Sequence, residues 1–122
     1  MKKILYFERE PFLAEMYIAE FKKNGYAIAW YENPTTDPVA LAQKEKPDLI
    51  MTDILMSVID GYTAIRLLKT NEATKHIPVI VFSNLSQPKE IQLGKDAGAD
   101  DYIIKAEVTP GMLISKIDQI FR

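Results

Sequence analysis

The sequence predicts an α/β domain built on a doubly wound, five-stranded parallel sheet with five helices on its two faces. Five apolar runs have the length of strands, and most are continuously apolar, which is typical of strands buried on both sides. They cover residues 4–7, 27–31, 49–52, 79–82 and 102–104. The segments between them have helical spacing, so strands and helices alternate and right-handed crossovers are expected.

The helices follow the strands in order. Pro11 suits the first turn of helix 1, Asn24-Gly25 suits its end, and residues 33–38 open helix 2. Residues 87–97, which contain Gly94, have few large apolar side chains and predict a weakly packed fourth helix. Apolar stripes predict the core-facing sides of the other helices: Leu13, Met16, Tyr17 and Phe21; Ala64, Ile65, Leu67 and Leu68; and Leu113, Ile114, Ile117 and Phe121.

The composition limits the possible functions. A chain of 122 residues with 48% apolar residues predicts one domain over residues 1–122. The 17 acidic and 15 basic residues give a charge of -2, which disfavours direct nucleic-acid binding. With no cysteine and His76 as the one histidine, thiolate or histidine metal sites and histidine-based triads are disfavoured. The four apolar residues after Lys3 are too few for a signal peptide or a membrane span, so we expect a cytoplasmic protein without membrane contact.

Polar residues stand where the predicted strands end. Strand 1 runs into Glu8-Arg9, strand 3 into Asp53, strand 4 into Ser83-Asn84 and strand 5 into Lys105. Each residue alone is ordinary loop chemistry. If the strand order is 2-1-3-4-5, however, these ends are neighbours, and ligand sites of open α/β sheets lie at that edge. The set therefore predicts a functional site.

The same residues carry a family resemblance along the whole chain. The motifs are Lys3-Ile4-Leu5 before an acidic strand end, residues 47–56 (PDLIMTDILM), Asp60-Gly61-Tyr62, residues 77–84 (IPVIVFSN) and residues 98–105 (GADDYIIK). Taken together, they resemble the receiver domain of two-component response regulators. The resemblance implies the CheY-like, flavodoxin-like version of the predicted fold.

The resemblance also implies a chemistry. A histidine kinase or histidine phosphotransfer protein would transfer a phosphoryl group to Asp53, with Lys105 pairing with the phosphoryl oxygens and Ser83 hydrogen-bonding to one of them. Glu8, Asp53 and the Leu55 backbone carbonyl would hold Mg²⁺, a hard cation that prefers oxygen ligands. Such a domain is a phosphoacceptor with self-catalysed phosphotransfer and dephosphorylation, not an enzyme acting on a separate substrate.

Signalling, by the same resemblance, follows phosphorylation. The Ser83 hydroxyl moves toward the phosphoryl group, Tyr102 turns inward, and a surface of helix 4, strand 5 and helix 5 presents the change to a downstream protein effector. We expect a monomer or a weak homodimer. The chain is expected to be either a single-domain regulator or an excised piece of a longer protein.

Residue 9 departs from the family pattern. Receivers place two adjacent acids after strand 1, whereas here these positions are Glu8 and Arg9. Two carboxylates, Glu8 and Asp53, balance Arg9 and Lys105 without any metal, which puts Mg²⁺ binding in question. Arg9 could lie in solvent while Glu10 reaches back as a substitute ligand, although neighbouring residues tend to point apart. It could instead act as a built-in cation for phosphorylation.

A third arrangement of Arg9 predicts a different function. If Arg9 locks Asp53 in an ion pair, the chain is a pseudo-receiver, a protein-interaction module that works without phosphorylation. Two further classes on this fold have weaker support. A flavin or nucleotide binder needs Gly, Ser or Thr after strand 1, where Glu8-Arg9-Glu10-Pro11 stands. A paired-carboxylate enzyme using Glu8 and Asp53 lacks a recognisable substrate pocket.

Two smaller departures concern loops near the predicted site. Ser57-Val58 stand where Pro-Gly is common in the family, and Ala106 stands where a proline usually follows the lysine. Because a cis bond before a residue other than proline costs about 3 kcal/mol, we expect a trans peptide between Lys105 and Ala106. Lys105 is then expected to approach Asp53 differently from the family arrangement.

Overall fold

The structure, a computed structural model, describes every residue from Met1 to Arg122. Its strands are β1 (Lys3–Phe7), β2 (Ala27–Tyr31), β3 (Leu49–Thr52), β4 (Val79–Ser83) and β5 (Asp101–Ile104). Its helices are α1 (Pro11–Lys23), α2 (Pro38–Glu45), α3 (Gly61–Thr70), α4 (Pro88–Ala97) and α5 (Pro110–Ile120), and a 3₁₀ turn (Lys105–Glu107) joins β5 to α5. All strand pairs are parallel in the order β2-β1-β3-β4-β5, which confirms the predicted fold class.

The strands lie where continuous apolar runs predict them. Three begin or end one residue beyond the predicted range, at Lys3, Ser83 and Asp101. The central strands β3 and β4 are buried along their whole length, as helices on both faces require. The edge strand β2 is half-buried throughout because it has a neighbour on one side only.

Local sequence explains where the helices begin. Proline occupies the first turn of four helices, where its missing N–H is not needed. These are Pro11, Pro38, Pro88 and Pro110. Three helices have a side-chain cap in which Asp37, Asp60 or Thr109 accepts a hydrogen bond from a backbone N–H of the first turn. Each such cap contributes about 1 kcal/mol to helix stability.

Alternate residues of the strands form two hydrophobic cores, one on each face of the sheet. Tyr6 and Phe82 belong to the core under α1 and α5, and Tyr17 packs edge-on against Phe82 with ring centroids 5.0 Å apart. The core-facing prediction is wrong for two residues: Met16 is 44% exposed and Leu67 is 41% exposed. Each lies beside a buried residue at the margin of its stripe, so the buried arc of these helices is narrower than predicted.

The parallel topology places every strand end of interest at one edge of the sheet. All strand pairs are parallel, so β1, β3, β4 and β5 all end at this edge. None of the helices is both long and apolar enough to cross a membrane.

Candidate functional site

A cleft of about 170 Å³ opens at the carboxyl edge of the sheet. Its lining includes Asp53 after β3, Ser83 at the end of β4 and Lys105 after β5. Glu8, which follows β1, contacts Lys105 from the protein interior and is fully buried. The structure therefore brings together the four strand ends that were predicted to converge.

Lys105 lies between two carboxylates. Its Nζ is 2.5 Å from Oε1 of Glu8 and 2.6 Å from Oδ2 of Asp53. The lysine side chain is 8% exposed, and its Nζ also lies 5.7 Å from the centroid of the Phe82 ring. Since one ammonium faces two carboxylates, this buried trio carries one net negative charge.

Asp53 is the carboxylate that faces the cleft. Its Oδ1 accepts a hydrogen bond of 2.7 Å from the Ile54 backbone N–H, while Oδ2 accepts one from Lys105. The side chain is 14% exposed. These two donors fix the orientation of the carboxylate and leave it accessible, which is the arrangement that an oxygen nucleophile needs.

Glu8 is oriented into the protein. Its Oε1 accepts hydrogen bonds from Lys105 and from the Tyr6 hydroxyl at 3.2 Å, and its Oε2 accepts one from the Glu10 backbone N–H at 3.1 Å. Both oxygens are therefore occupied, and the side chain has no exposed surface. Glu8 acts as the internal partner of Lys105.

Burial and hydrogen bonding shift the pKa values of the donors in this cluster. Burial lowers the pKa of Lys105, but its hydrogen bonds to Asp53 and Glu8 outweigh that effect, and the pKa stands above its ordinary value. Burial, followed by the charge of Glu8, raises the pKa of Tyr6 far above its ordinary value. Both groups consequently keep their protons at neutral pH and act as donors.

Arg9 does not pair with Asp53. Its side chain is 57% exposed, and its nearest acidic partner is Glu10, with Nε and Oε1 3.9 Å apart. The ion-pair lock considered for residue 9 is thus absent, because Glu8 points inward from the strand end and the next residue points out. Glu10 is also 58% exposed and lies against Arg9, so it does not reach back to Asp53.

A chain of hydrogen bonds joins Ser83 to Tyr102 through the backbone of Leu85. The Leu85 N–H donates to Oγ of Ser83 at 3.2 Å, and the Tyr102 hydroxyl donates to the Leu85 carbonyl at 2.6 Å. Ser83 is buried and Tyr102 is half-buried. The Tyr102 ring lies over Gly94 of α4, where an added Cβ would be 3.0 Å from the ring. A movement of Ser83 would therefore shift the Leu85 backbone and, through it, the Tyr102 hydroxyl.

The loop after β3 follows a strained path beside the cleft. Gly61 lies so close to the end of β3 that an added Cβ would be 2.2 Å from the Asp53 carbonyl oxygen, so only glycine fits. Val58 has φ of 75°, a left-handed conformation that is rare for a β-branched residue. The loop also carries Leu55, whose side chain is 53% exposed.

The turn after β5 is held by an asparagine. The Ala106 N–H donates to Oδ1 of Asn84 at 2.9 Å, and no peptide bond in the chain is cis, so the bond between Lys105 and Ala106 is trans as expected. This contact links the end of β4 to the residue that follows Lys105. Lys105 reaches Asp53 directly from this trans turn.

Three residues of the site were not recognised in the sequence. Tyr6 was assigned only to an apolar strand, although a tyrosine two residues before Glu8 lies on the same face and signals a polar partner. Trp30 donates its indole N–H to the Glu8 carbonyl at 2.8 Å. Leu85 contributes through its backbone, which no side-chain pattern reports.

The oxygen donors at the cleft form an incomplete set for a divalent cation. Asp53, Glu10 and the Leu55 region lie at the cleft, but Glu10 lies against Arg9. Glu8 has both oxygens engaged, and residue 9 is a cation. Nowhere in the chain do three carboxylate or imidazole side chains meet in a group that could hold a metal ion. These residues, as they are arranged, do not fit Mg²⁺.

Comparison with known sequences identifies a family and several relatives. A family model described as "Response regulator receiver domain" matches residues 4–118. The chain is 38% identical over 107 residues to the protein PilH of Pseudomonas aeruginosa, and the match covers 86% of each chain. It is 41% identical over 78 residues to a gliding motility regulatory protein of Myxococcus xanthus, covering 64% of this chain but 10% of that much longer protein.

Solved structures give the same picture. The signal receiver domain of a histidine kinase from Syntrophus aciditrophicus is 32% identical with a TM-score of 0.87, and the match covers 98% of this chain and 89% of that one. The receiver domain of a sensor histidine kinase from Pseudomonas aeruginosa, which has a magnesium ion coordinated in its active-site cleft, is 23% identical with a TM-score of 0.85, covering 97% and 95%. The second likeness concerns the fold alone.

Proposed function

Because this chain belongs to the response regulator receiver domain family, we propose that it accepts a phosphoryl group on Asp53 and transmits that event through α4, β5 and α5. Receiver domains in general are phosphoacceptors of phosphorelays rather than enzymes acting on separate substrates, and they exchange phosphoryl groups with histidine kinases or phosphotransfer proteins. The proposal extends this family role to particular residues of the chain. It takes residues 1–122 as the receiver unit.

The observation that carries the proposal is the paired, accessible carboxylate of Asp53. A carboxylate oxygen attacks phosphorus effectively when nearby donors fix its direction and cations offset the charge on the transferring oxygens. Ile54 and Lys105 each donate to one oxygen of Asp53, and the side chain still opens to the cleft. No other carboxylate of the chain combines a lysine partner at 2.6 Å with a cleft of this kind.

The transfer step follows from this geometry. An Asp53 oxygen forms a bond to phosphorus as the bond between phosphorus and the donor's imidazole nitrogen breaks, and the imidazole keeps the electron pair. Lys105 then pairs with oxygens of the transferred group, and the Ser83 hydroxyl donates a hydrogen bond to one of them. Both side chains are held close to Asp53 by the ends of β4 and β5.

The output surface is proposed from the same contacts. If Ser83 turns toward a phosphoryl oxygen, the Leu85 N–H loses its acceptor, and the Leu85 carbonyl that holds Tyr102 shifts with it. Tyr102 lies on β5 and touches α4 at Gly94, so the change reaches the surface of α4, β5 and α5. Exposed Leu93 and Met112 on that surface offer apolar contacts to a downstream protein partner.

The pseudo-receiver alternative stays a prediction, because Arg9 still stands where receivers have a metal-binding acid. The structure lacks only the ion-pair form of it, since Asp53 pairs with Lys105 and Arg9 lies at the surface. A module that works without phosphorylation would instead be recognised by the failure of the phosphorylation test. The chain would have to remain unphosphorylated with a phosphorylated protein donor as well as with a small-molecule phosphodonor.

The test is intact-protein mass spectrometry after incubation with acetyl phosphate, and then with a phosphorylated histidine phosphotransfer protein. We expect a single labile phosphoryl adduct on the wild-type chain and none on Asp53→Asn. The matched control is Asp60→Asn, since Asp60 is a nearby exposed acid whose capping role asparagine preserves. An adduct that survives in Asp53→Asn, or none with either donor, would contradict the proposal.

A further inference from the structure

We propose that the Asp53 cleft of this receiver takes up no divalent cation, and that Arg9 supplies the positive charge which a metal brings to other receivers. The chemical half of this inference rests on the proposed function. The binding half concerns the unphosphorylated chain and can be measured separately.

The first step concerns Glu8. A carboxylate at the end of β1 would have to turn an oxygen toward the cleft in order to bind a cation there. Glu8 instead gives one oxygen to Lys105 and Tyr6 and the other to the Glu10 backbone, and none of its surface is exposed. Turning it outward would leave the Tyr6 hydroxyl without its acceptor and would leave Lys105 with Asp53 alone, which is unfavourable.

The second step concerns residue 9. This is the position that faces outward from the strand end, and it carries a guanidinium rather than a carboxylate. Arg9 lines the same cleft as Asp53 and Lys105. A cation at this place repels a divalent ion. Glu10 also lines the cleft, but it lies against Arg9, so Asp53 faces the cleft with two basic side chains around it.

The third step concerns the charge that phosphorylation adds. The trio of Glu8, Asp53 and Lys105 already carries one net negative charge, and a phosphoryl group on Asp53 makes the cleft more negative. Arg9 has room to turn toward this charge, because its side chain is 57% exposed and its Nε lies 3.9 Å from Oε1 of Glu10, its one acidic partner. Its planar fork of donors suits two phosphoryl oxygens at once.

The binding test uses Mn²⁺ or Mg²⁺ alone and the fluorescence of Trp30. Trp30 is the one tryptophan, and its indole N–H donates to the Glu8 carbonyl, so it reports on the strand end beneath the cleft. We compare the wild-type chain with Arg9→Asp, which restores an acid at the outward position, and with Glu10→Gln. Heat of binding measured by calorimetry provides a second readout that needs no fluorescence change.

We expect no saturable response from the wild type and a saturable one from Arg9→Asp, whose Kd for Mn²⁺ should lie at least about tenfold below the highest Mn²⁺ concentration titrated. Saturable binding by the wild-type chain would overturn the proposal. If that binding disappears in Glu10→Gln, Glu10 is the ligand instead. Absence of binding in Arg9→Asp would also overturn it, since residue 9 would then not be the determinant.

The chemical half is tested by the rate of adduct formation from acetyl phosphate in Mg²⁺ and in EDTA. We expect the wild type to form the adduct at the same rate in Mg²⁺ and in EDTA. In EDTA, Arg9→Ala should form it about tenfold more slowly than the wild type, because one charge-assisted contact to the phosphoryl oxygens is removed. A rate for the wild type that rises with Mg²⁺ contradicts the inference. Failure to form any adduct contradicts the proposed function instead, and the titration then decides the metal question alone.

Discussion

Replacing Lys105 by methionine should destabilise the fold more than any surface ion-pair change. Glu8 is fully buried, and Lys105 is its charged partner at 2.5 Å. Removing one member of a buried pair leaves an uncompensated charge and typically costs about 3–5 kcal/mol. Asp53 contributes less to this loss because its side chain is 14% exposed and water can solvate it. Against a domain stability of about 5–15 kcal/mol, the loss is large.

The assay is urea denaturation at neutral pH, followed by the fluorescence of Trp30. The surface control is Lys75→Met, which breaks an ion pair with Glu72 whose partners are 51% and 87% exposed and should change stability by less than about 1 kcal/mol. The double variant with Glu8→Gln and Lys105→Met removes both buried charges and should recover most of the loss. The slope of unfolding against urea should stay unchanged.

Two results would refute this reasoning. Lys105→Met could prove no more destabilising than Lys75→Met, which would mean that Glu8 finds water or another partner. Alternatively, the double variant could be as unstable as the sum of its single changes. That outcome would show that Glu8 and Lys105 contribute independently and not as a pair.

Three further predictions concern the loop and the switch region. Val58→Gly should raise stability by about 1 kcal/mol in the same denaturation assay, because it relieves φ of 75° in a side chain that is 62% exposed. Gly94→Ala should push the Tyr102 ring outward and change its NMR ring-proton shifts, whereas Gly111→Ala, whose added Cβ would meet nothing closer than 4.0 Å, should leave them alone. Burial, aided by the nearby Tyr62 and Glu90, raises the pKa of Tyr102 to about 12, so ultraviolet titration should show this tyrosine ionising well above its ordinary value of 10.0, although before the more strongly shifted Tyr6. Its contribution to stability is fully present below pH 10.0 and is lost as the pH rises through about 12.

The fold was predictable because its signals are local and repeated. Continuous apolar runs mark strands that are covered on both faces, and proline marks the start of three of the four crossover helices, α1, α2 and α4. The topology rules then bring the ends of β1, β3, β4 and β5 to one edge. The meeting of Glu8, Asp53 and Lys105 follows from that topology, although they are far apart in the chain.

What was not predictable depends on the direction of individual side chains. The sequence left three arrangements of the Arg9 side chain open, and only the structure shows it exposed beside Glu10. The hydrogen bond from Tyr6 to Glu8 joins residues on one strand face, but an apolar run does not reveal it. Met16 and Leu67 fit a helical stripe by spacing, yet the width of the buried arc is set by the neighbouring elements.

The most direct single measurement is borohydride trapping of the phosphorylated wild-type chain, followed by peptide mass spectrometry. Borohydride reduces an aspartyl phosphate to homoserine and so marks the acceptor residue without any substitution. We predict homoserine at position 53 alone, with the same yield in Mg²⁺ and in EDTA. Homoserine at another acid such as Asp60 or Asp101, or no homoserine after incubation with a phosphorylated protein donor, would contradict the assignment of Asp53 as the phosphoacceptor.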